Sequence, residues 1–158
     1  MKQIWSPWRM DYMSSGNGDA DCVFCEAYKM EEPSLSLIAR RSENAFVILN
    51  RYPYTSGHIM IVPNVHLASI EDLDVKTRAE IIELGIHATS ILRKLYQPDG
   101  FNWGINIGKA AGAGVVDHAH LHIVPRWGGD TNFMTSVGNS RVLPEALEET
   151  LTRIMEAW

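Results

Sequence analysis

Residues 118–124 read HAHLHIV, so His118, His120 and His122 stand at alternate positions with Ala119, Leu121 and Ile123 between them. On an extended strand successive side chains point to opposite faces. The three imidazoles then share one face, neighbours roughly 7 Å apart, and the apolar residues share the other. Sheet packing never requires such a row, and an imidazole is costly to bury without a partner, so the pattern points to chemistry rather than to core filling. A neutral imidazole is a competent nucleophile at neutral pH. Its phosphoramidate adduct is labile enough to pass the phosphoryl group on to water or phosphate, which splits one hard displacement into two easier ones. Such a reaction needs one ring aimed at phosphorus, donors on the non-bridging oxygens and a group that stabilises the leaving oxygen. His120, flanked by two histidines on its own face, is the natural nucleophile.

Two further segments carry chemistry. Residues 108–114 read GKAAGAG immediately ahead of the histidines. Glycines there let the backbone approach a ligand, and successive N–H groups can form an anion-binding nest, with Gly112 and Gly114 as substrate-binding candidates and Asn106 adding a side-chain amide from the preceding strand. Cys22 and Cys25 have the C-x-x-C spacing of a zinc knuckle or a redox pair. A redox role needs a cysteine at a helix N-terminus in a thioredoxin-like setting, for which the chain offers nothing. Two cysteines alone do not close a tetrahedral zinc site, so that reading requires histidine partners; otherwise the pair is two reduced, partly buried thiols.

The elements that must position these groups follow from periodicity. With 158 residues and 46% hydrophobic content, the chain is sized for one domain, 1–158, made of an irregular arm over 1–35 and a core over 36–158. Apolar runs at 35–39 and 45–49 flank the polar turn RSEN and suggest a hairpin, and a third run spans 58–62 after the loop RYPYTSG. From 75 to 96, Ile81, Ile82, Gly85, Ile86, Ala88, Ile91, Leu92 and Leu95 recur at helical spacing, which predicts a long amphipathic helix ended by Pro98 and Gly100. FNWGINIG alternates as a strand with Phe101, Trp103, Ile105 and Ile107 on one face, and Pro144 opens a final helix toward Met155. Strands joined mostly without crossover helices make the fold α+β with an antiparallel sheet. Gly16 to Gly18 suggest a flexible stretch, and Trp5, Trp8 and Tyr12 an arm that packs on the core.

Composition excludes several functions. The formal charge is 14 − 19 = −5 with scattered basic residues, which argues against a surface for polymeric DNA or RNA. A small phosphorylated ligand remains compatible, because a pocket can be locally electropositive. The opening MKQIWSPWRMDYM is too polar and punctuated for a signal peptide, and no apolar run approaches the roughly 20 residues of a membrane span, so a cytoplasmic protein without a membrane partner is expected. A structural disulfide is not expected there.

The H-x-H-x-H segment followed by Ile123-Val124, with Asn50-Arg51-x-Pro53-x-x-x-Gly57-His58 and Pro63-x-x-His66, resembles the histidine triad superfamily. It is most similar to the fragile-histidine-triad and diadenosine tetraphosphate phosphorylase branch, and IWSPWRMDY and VPRWGGDTNF extend the likeness to both ends. The resemblance implies a five-stranded antiparallel sheet with one long and one C-terminal helix, a homodimer, and cleavage of phosphoanhydride or phosphoramidate bonds beside a nucleoside 5′-phosphoryl group. Dinucleoside polyphosphates or related adenylyl compounds are the implied substrates, through a nucleotidyl group on His120. The resemblance gives His122 the phosphoryl or leaving oxygen, has His58 complete the catalytic cage, and gives Asn50 the ribose hydroxyls. Similar C-x-x-C members hold structural zinc, which implies Cys22, Cys25, His66 and His118 as ligands. The chain departs from the family where a Gln or Ser and a neighbouring hydroxyl residue give way to Gly114 and Val115, which leaves phosphate and water both open as acceptors. Two alternatives share the pocket: a slow-turnover nucleotide-binding regulatory protein, which needs Asn50 and the loop but not the nucleophile, and an adenosine phosphoramidase.

Overall fold

The structure, a computed structural model, describes residues 22–131 and 145–158. The arm aromatics Trp5, Trp8 and Tyr12, the Gly16 to Gly18 stretch and Pro144 lie outside the described residues.

Helix α1 (Val23–Lys29) and a single turn α2 (Pro33–Ser36) lead into β1 (Ile38–Arg41), β2 (Ala45–Leu49) and β3 (Ile59–Pro63). The long helix α3 (Val75–Tyr96) then crosses to β4 (Gly100–Ile105), and β5 (Leu121–Arg126) and α4 (Leu147–Glu156) complete the order. The strands form one antiparallel sheet in the order β1-β2-β3-β5-β4, so β5 inserts between β3 and β4 and puts its residues at the centre of the molecule's chemistry. The α+β expectation and the five-stranded sheet hold. None of the described helices is long and apolar enough to cross a membrane.

Helix α3 runs over the residues its periodicity predicts. Asp74 caps it by accepting a hydrogen bond from the Thr77 amide at 2.7 Å, and Gln97 ends it in the left-handed conformation at φ 46°. Its buried stripe of Ile81, Gly85, Ala88, Ile91 and Leu92 packs on the sheet. Gly85 has a steric purpose: a Cβ there would lie 2.7 Å from the Trp103 ring, so only glycine lets that indole lie against the helix. The stripe is narrower than the sequence pattern, because Ile82 and Ile86 are exposed.

Local chemistry corrects several boundaries. The run 35–39 is not one strand: Pro33 starts a helical turn, and Leu37, at φ 61°, ends it and turns the chain into β1. Strand β4 stops at Ile105, which leaves Ile107 exposed. The final helix begins at Leu147. The histidine segment is a strand only from Leu121 onward. Leu121 pairs with Ile61 in the middle of β3 and with Ile105, the last residue of β4, so β4 offers no partner beyond it and residues 118–120 lie outside the strand.

Candidate functional site

A cleft of about 620 Å³ opens over one face of the sheet, within the size range of small-ligand sites. One end is apolar, formed by Val23 and Ala27 of α1 and its C-cap Met30 with Leu35, Leu37 and Ile48. The other is polar, formed by His120, His122, Asn50, Asn106, Lys109 and the glycine loop. Burial of an apolar group at one end and of phosphates at the other suits a nucleotide.

The triad histidines divide between two roles. His120 is 4% exposed and donates its Nδ1 hydrogen to the His118 carbonyl at 2.8 Å, which leaves the lone pair on Nε2. Burial pushes the His120 imidazole below its ordinary pKa, so the ring is neutral at pH 7. His122 is half-buried on β5, paired across the sheet with Met60 and Gly104, and its ring centroid is 4.8 Å from that of His120. His118 instead faces the cysteines. It is buried and likewise held neutral by its burial, and it donates Nε2–H to the Pro63 carbonyl at 2.9 Å, which turns Nδ1 toward the two sulfurs. The rings are closer than an ideal strand places them, because only His122 obeys the strand's geometry.

His58 stands behind His122 and is not itself among the residues that line the cleft. It is 1% exposed just ahead of β3. The Tyr54 amide donates to its Nδ1 at 3.1 Å, so the His58 hydrogen lies on Nε2, which is 3.0 Å from His122 Nδ1. That chain in turn assigns the His122 hydrogen to Nε2. Gly57 makes the approach possible: at φ +75° a Cβ would press on Leu92 at 3.1 Å and Tyr96 at 3.3 Å.

Asn50 lines the cleft and also serves as an ordinary turn residue, accepting the Tyr52 amide at 2.9 Å. Asn106 lines it with Nδ2 3.5 Å from the Gly112 carbonyl. The loop is less open to an anion than its glycines suggest. Gly108 and Gly112, at φ 80° and 87°, bracket a 3₁₀ turn in which the Gly112 amide donates to Lys109 and the Ala111 and Ala113 amides to Gly108. Lys109 therefore adds the charge at this wall. Arg126 is not in the cleft: it pairs with Asp130 at 2.5 Å and with Asn102 at 2.6 Å.

Cys22, Cys25, His66 and His118 converge, with one ligand atom from each lying within 4.8 Å of the others. Cys22 Sγ is 3.3 Å from His118 Nδ1 and Cys25 Sγ is 3.2 Å from His66 Nδ1. Two thiols and two imidazoles are the donor set of a closed tetrahedral zinc site, and the His118 hydrogen bond to Pro63 leaves the correct nitrogen available, so the residues fit that ion. Burial and the neighbouring Cys22 raise the Cys25 thiol above its ordinary pKa, an opposition that a divalent cation between the sulfurs would reverse. Cys22 is in fact the N-cap of α1, a helix-terminal position that the C-x-x-C spacing alone does not reveal.

Sequence reasoning missed the apolar wall. Val23, Ala27 and Met30 stand at i, i+4 and i+7, a helical stripe that becomes legible only once α1 is known to begin at the cysteines.

Residues 32–129 match the HIT domain family. The chain belongs to the HIT family. It is 35% identical, over its whole length and 85% of the relative, to an AP-4-A phosphorylase of Mycobacterium tuberculosis. An adenosine 5′-monophosphoramidase of Saccharomyces cerevisiae is 34% identical over 68% of this chain and 64% of its own length. Among solved structures, a zinc-bound histidine triad family protein from Mycobacterium smegmatis superposes with a TM-score of 0.70 at 32% identity, covering 89% of this chain and 94% of the other.

Proposed function

We propose that this HIT-family enzyme transfers an adenylyl group from a dinucleoside polyphosphate, of the diadenosine tetraphosphate kind, through a covalent adenylyl group on His120. The observation that carries the reading is the His120 tautomer: Nδ1–H is held by the His118 carbonyl, and Nε2 keeps its lone pair on the wall of a cleft sized for a nucleotide. The Nε2 lone pair attacks the α-phosphorus, the P–N bond forms, and the bond to the bridging oxygen breaks. The leaving nucleotide carries that electron pair away, while the positive charge on the ring is met by the His118 carbonyl. His122 presents Nε2–H to the departing oxygen, and His58 holds His122 in that tautomer. Asn50 takes the ribose, with Asn106, Lys109 and the segment of Gly112 and Gly114 against the phosphates.

In the second half-reaction inorganic phosphate attacks the same phosphorus, displaces Nε2 and yields a nucleoside diphosphate; water is the acceptor when phosphate is scarce. The full-length likeness to a phosphorylase supports phosphate, and Lys109 supplies charge where a second anion must sit. Cys22, Cys25, His66 and His118 would hold zinc, which would cross-link α1 to the segment that aims His120 without a part in bond breaking. Its thiol ligands suit the reducing cytoplasm. Strand β4 is a sheet edge flanked by exposed Trp103, Ile82 and Ile86, and a homodimer would cover it.

Turnover in ¹⁸O-water with saturating phosphate tests the reading: adenosine diphosphate should form with little label in any adenylate. One labelled oxygen in every adenosine monophosphate, with no diphosphate, makes water the acceptor. His120→Ala should lose at least about 10⁴-fold in kcat while binding nucleotide within about tenfold, since it removes the bond-forming atom and little contact area. Near-normal turnover by that variant excludes the mechanism.

A further inference from the structure

We propose that Phe24, the residue between the two cysteines, is a positioning residue that sets the plane of the His120 ring; this rests on His120 being the nucleophile. One hydrogen bond, from Nδ1 to the His118 carbonyl, fixes one atom of the imidazole and leaves the ring's tilt to its neighbours. Those neighbours are aromatic. The Phe24 ring lies 5.1 Å from His120 at 54°, and His122 lies 4.8 Å away at 74°. Phe24 also meets His118 edge-on, 5.5 Å away at 83°. Its side chain is 4% exposed and borders the cleft.

The placement follows from the spacing of the motif. Cys22 is the N-cap residue of α1 and Cys25 lies one turn on, so fixing both sulfurs fixes that first turn, and the residues between them are carried with it. Phe24 is directed inward on that turn and reaches both the ligand His118 and the nucleophile. The C-x-x-C segment thus does two things: its cysteines anchor the helix, and the phenylalanine between them limits the rotation of the ring that must point at phosphorus. Removing the phenyl ring opens a space beside His120 into which the imidazole turns, and in-line attack tolerates little misplacement: about 1 Å costs about 100-fold.

The test uses full-length, zinc-loaded protein with Phe24→Ala and Phe24→Leu, measuring zinc content, melting temperature, kcat, KM and the rate at which labelled adenylyl-protein forms on rapid quenching. Phe24→Ala should keep its zinc and slow adenylylation and kcat about 100-fold with a much smaller change in KM; Phe24→Leu, which restores bulk but not the flat ring, should be about tenfold slower than the parent. A residue that only supported the fold would lower the melting temperature and the active fraction, leaving the adenylylation rate constant of loaded chains unchanged. That outcome overturns the proposal, as does a loss confined to KM. If Phe24→Ala does not fold, Phe24→Leu decides alone, and a parental rate in it is fatal. Adenylyl label still forming on His120→Ala protein overturns the nucleophile assignment and this proposal together; no label there with parental rates in the Phe24 variants overturns this proposal only.

Discussion

Helices α1 and α4 sit at opposite ends of the described chain, and each is fastened to the rest of the fold by a polar cluster, but the clusters differ in kind. Helix α4 has ten residues and buries Thr150, Leu151 and Ile154. Its clamp is Glu145, which accepts from Tyr96 at 2.5 Å, Thr150 at 2.6 Å and Arg153 at 2.5 Å, while Arg153 also donates to the Leu95 carbonyl at 3.1 Å. Helix α1 has seven residues and buries only Phe24. Arg41 ties its C-terminal end through the carbonyls of Tyr28 and Met30 at 2.8 and 2.6 Å, but the first turn has no side-chain cap. Fixing a residue costs about 1–2 kcal/mol of backbone entropy and burying one phenylalanine returns about 1.5–3 kcal/mol, so a helix this short is not held by its core contact. The lesson is that α4 is packed and then clamped, whereas α1 is stapled by its ligand cluster. Of these two helices α1 alone lines the cleft, so its fastening is the one that reaches the chemistry.

The comparison breaks most visibly at the staple. Cys22→Ser should lose zinc, lower stability by about 5 kcal/mol or more, and raise KM for nucleotide along with its effect on kcat, because the apolar wall of the cleft leaves with α1. Atomic absorption, calorimetry and kinetics on one preparation check this; a zinc-free variant with parental KM would sever the cluster from the cleft. Next in size, Ile154→Ala opens a cavity under α4 and should cost about 2–5 kcal/mol by denaturant unfolding, with kcat and KM unchanged below the transition. Kinetic damage from that substitution would mean that α4 too is coupled to the site.

The smallest effect is at the clamp and depends on pH. Burial raises the Glu145 carboxyl, but the hydrogen bonds from Thr150, Tyr96 and Arg153 outweigh it and hold the pKa below its ordinary value. Tyr96, half-buried and bonded to Glu145, is pushed up to about 12. A carboxylate with a depressed folded pKa stabilises the fold above its unfolded pKa of about 4.3, and that contribution is lost as pH falls through the folded value. Glu145→Gln should therefore cost about 1 kcal/mol at pH 7 and less at pH 3, so that parent and variant melting temperatures converge in acid. Curves that stay parallel between those pH values would remove Glu145 from the clamp.

Much of this was legible in the residues themselves. The alternation of His118, His120 and His122, the glycine loop and the helix over 75–96 are local signals, since periodicity and turn chemistry depend only on neighbours in the chain. The likeness to the histidine triad family carried the ligand set, the five-stranded sheet and the class of reaction. What the sequence could not determine was which nitrogen of each histidine carries the hydrogen. Tertiary contacts decide that, because the Pro63 carbonyl assigns one nitrogen of His118, the His118 carbonyl assigns one of His120, and the Tyr54 amide assigns His122 through His58. Nor could it show that Phe24, far from His120 along the chain, touches its ring, or that α1 rather than a loop forms the apolar wall. An imidazole's tautomer, and therefore its chemistry, is decided by the hydrogen-bond partner it meets in the folded chain, and those partners come from segments that are distant until the sheet closes.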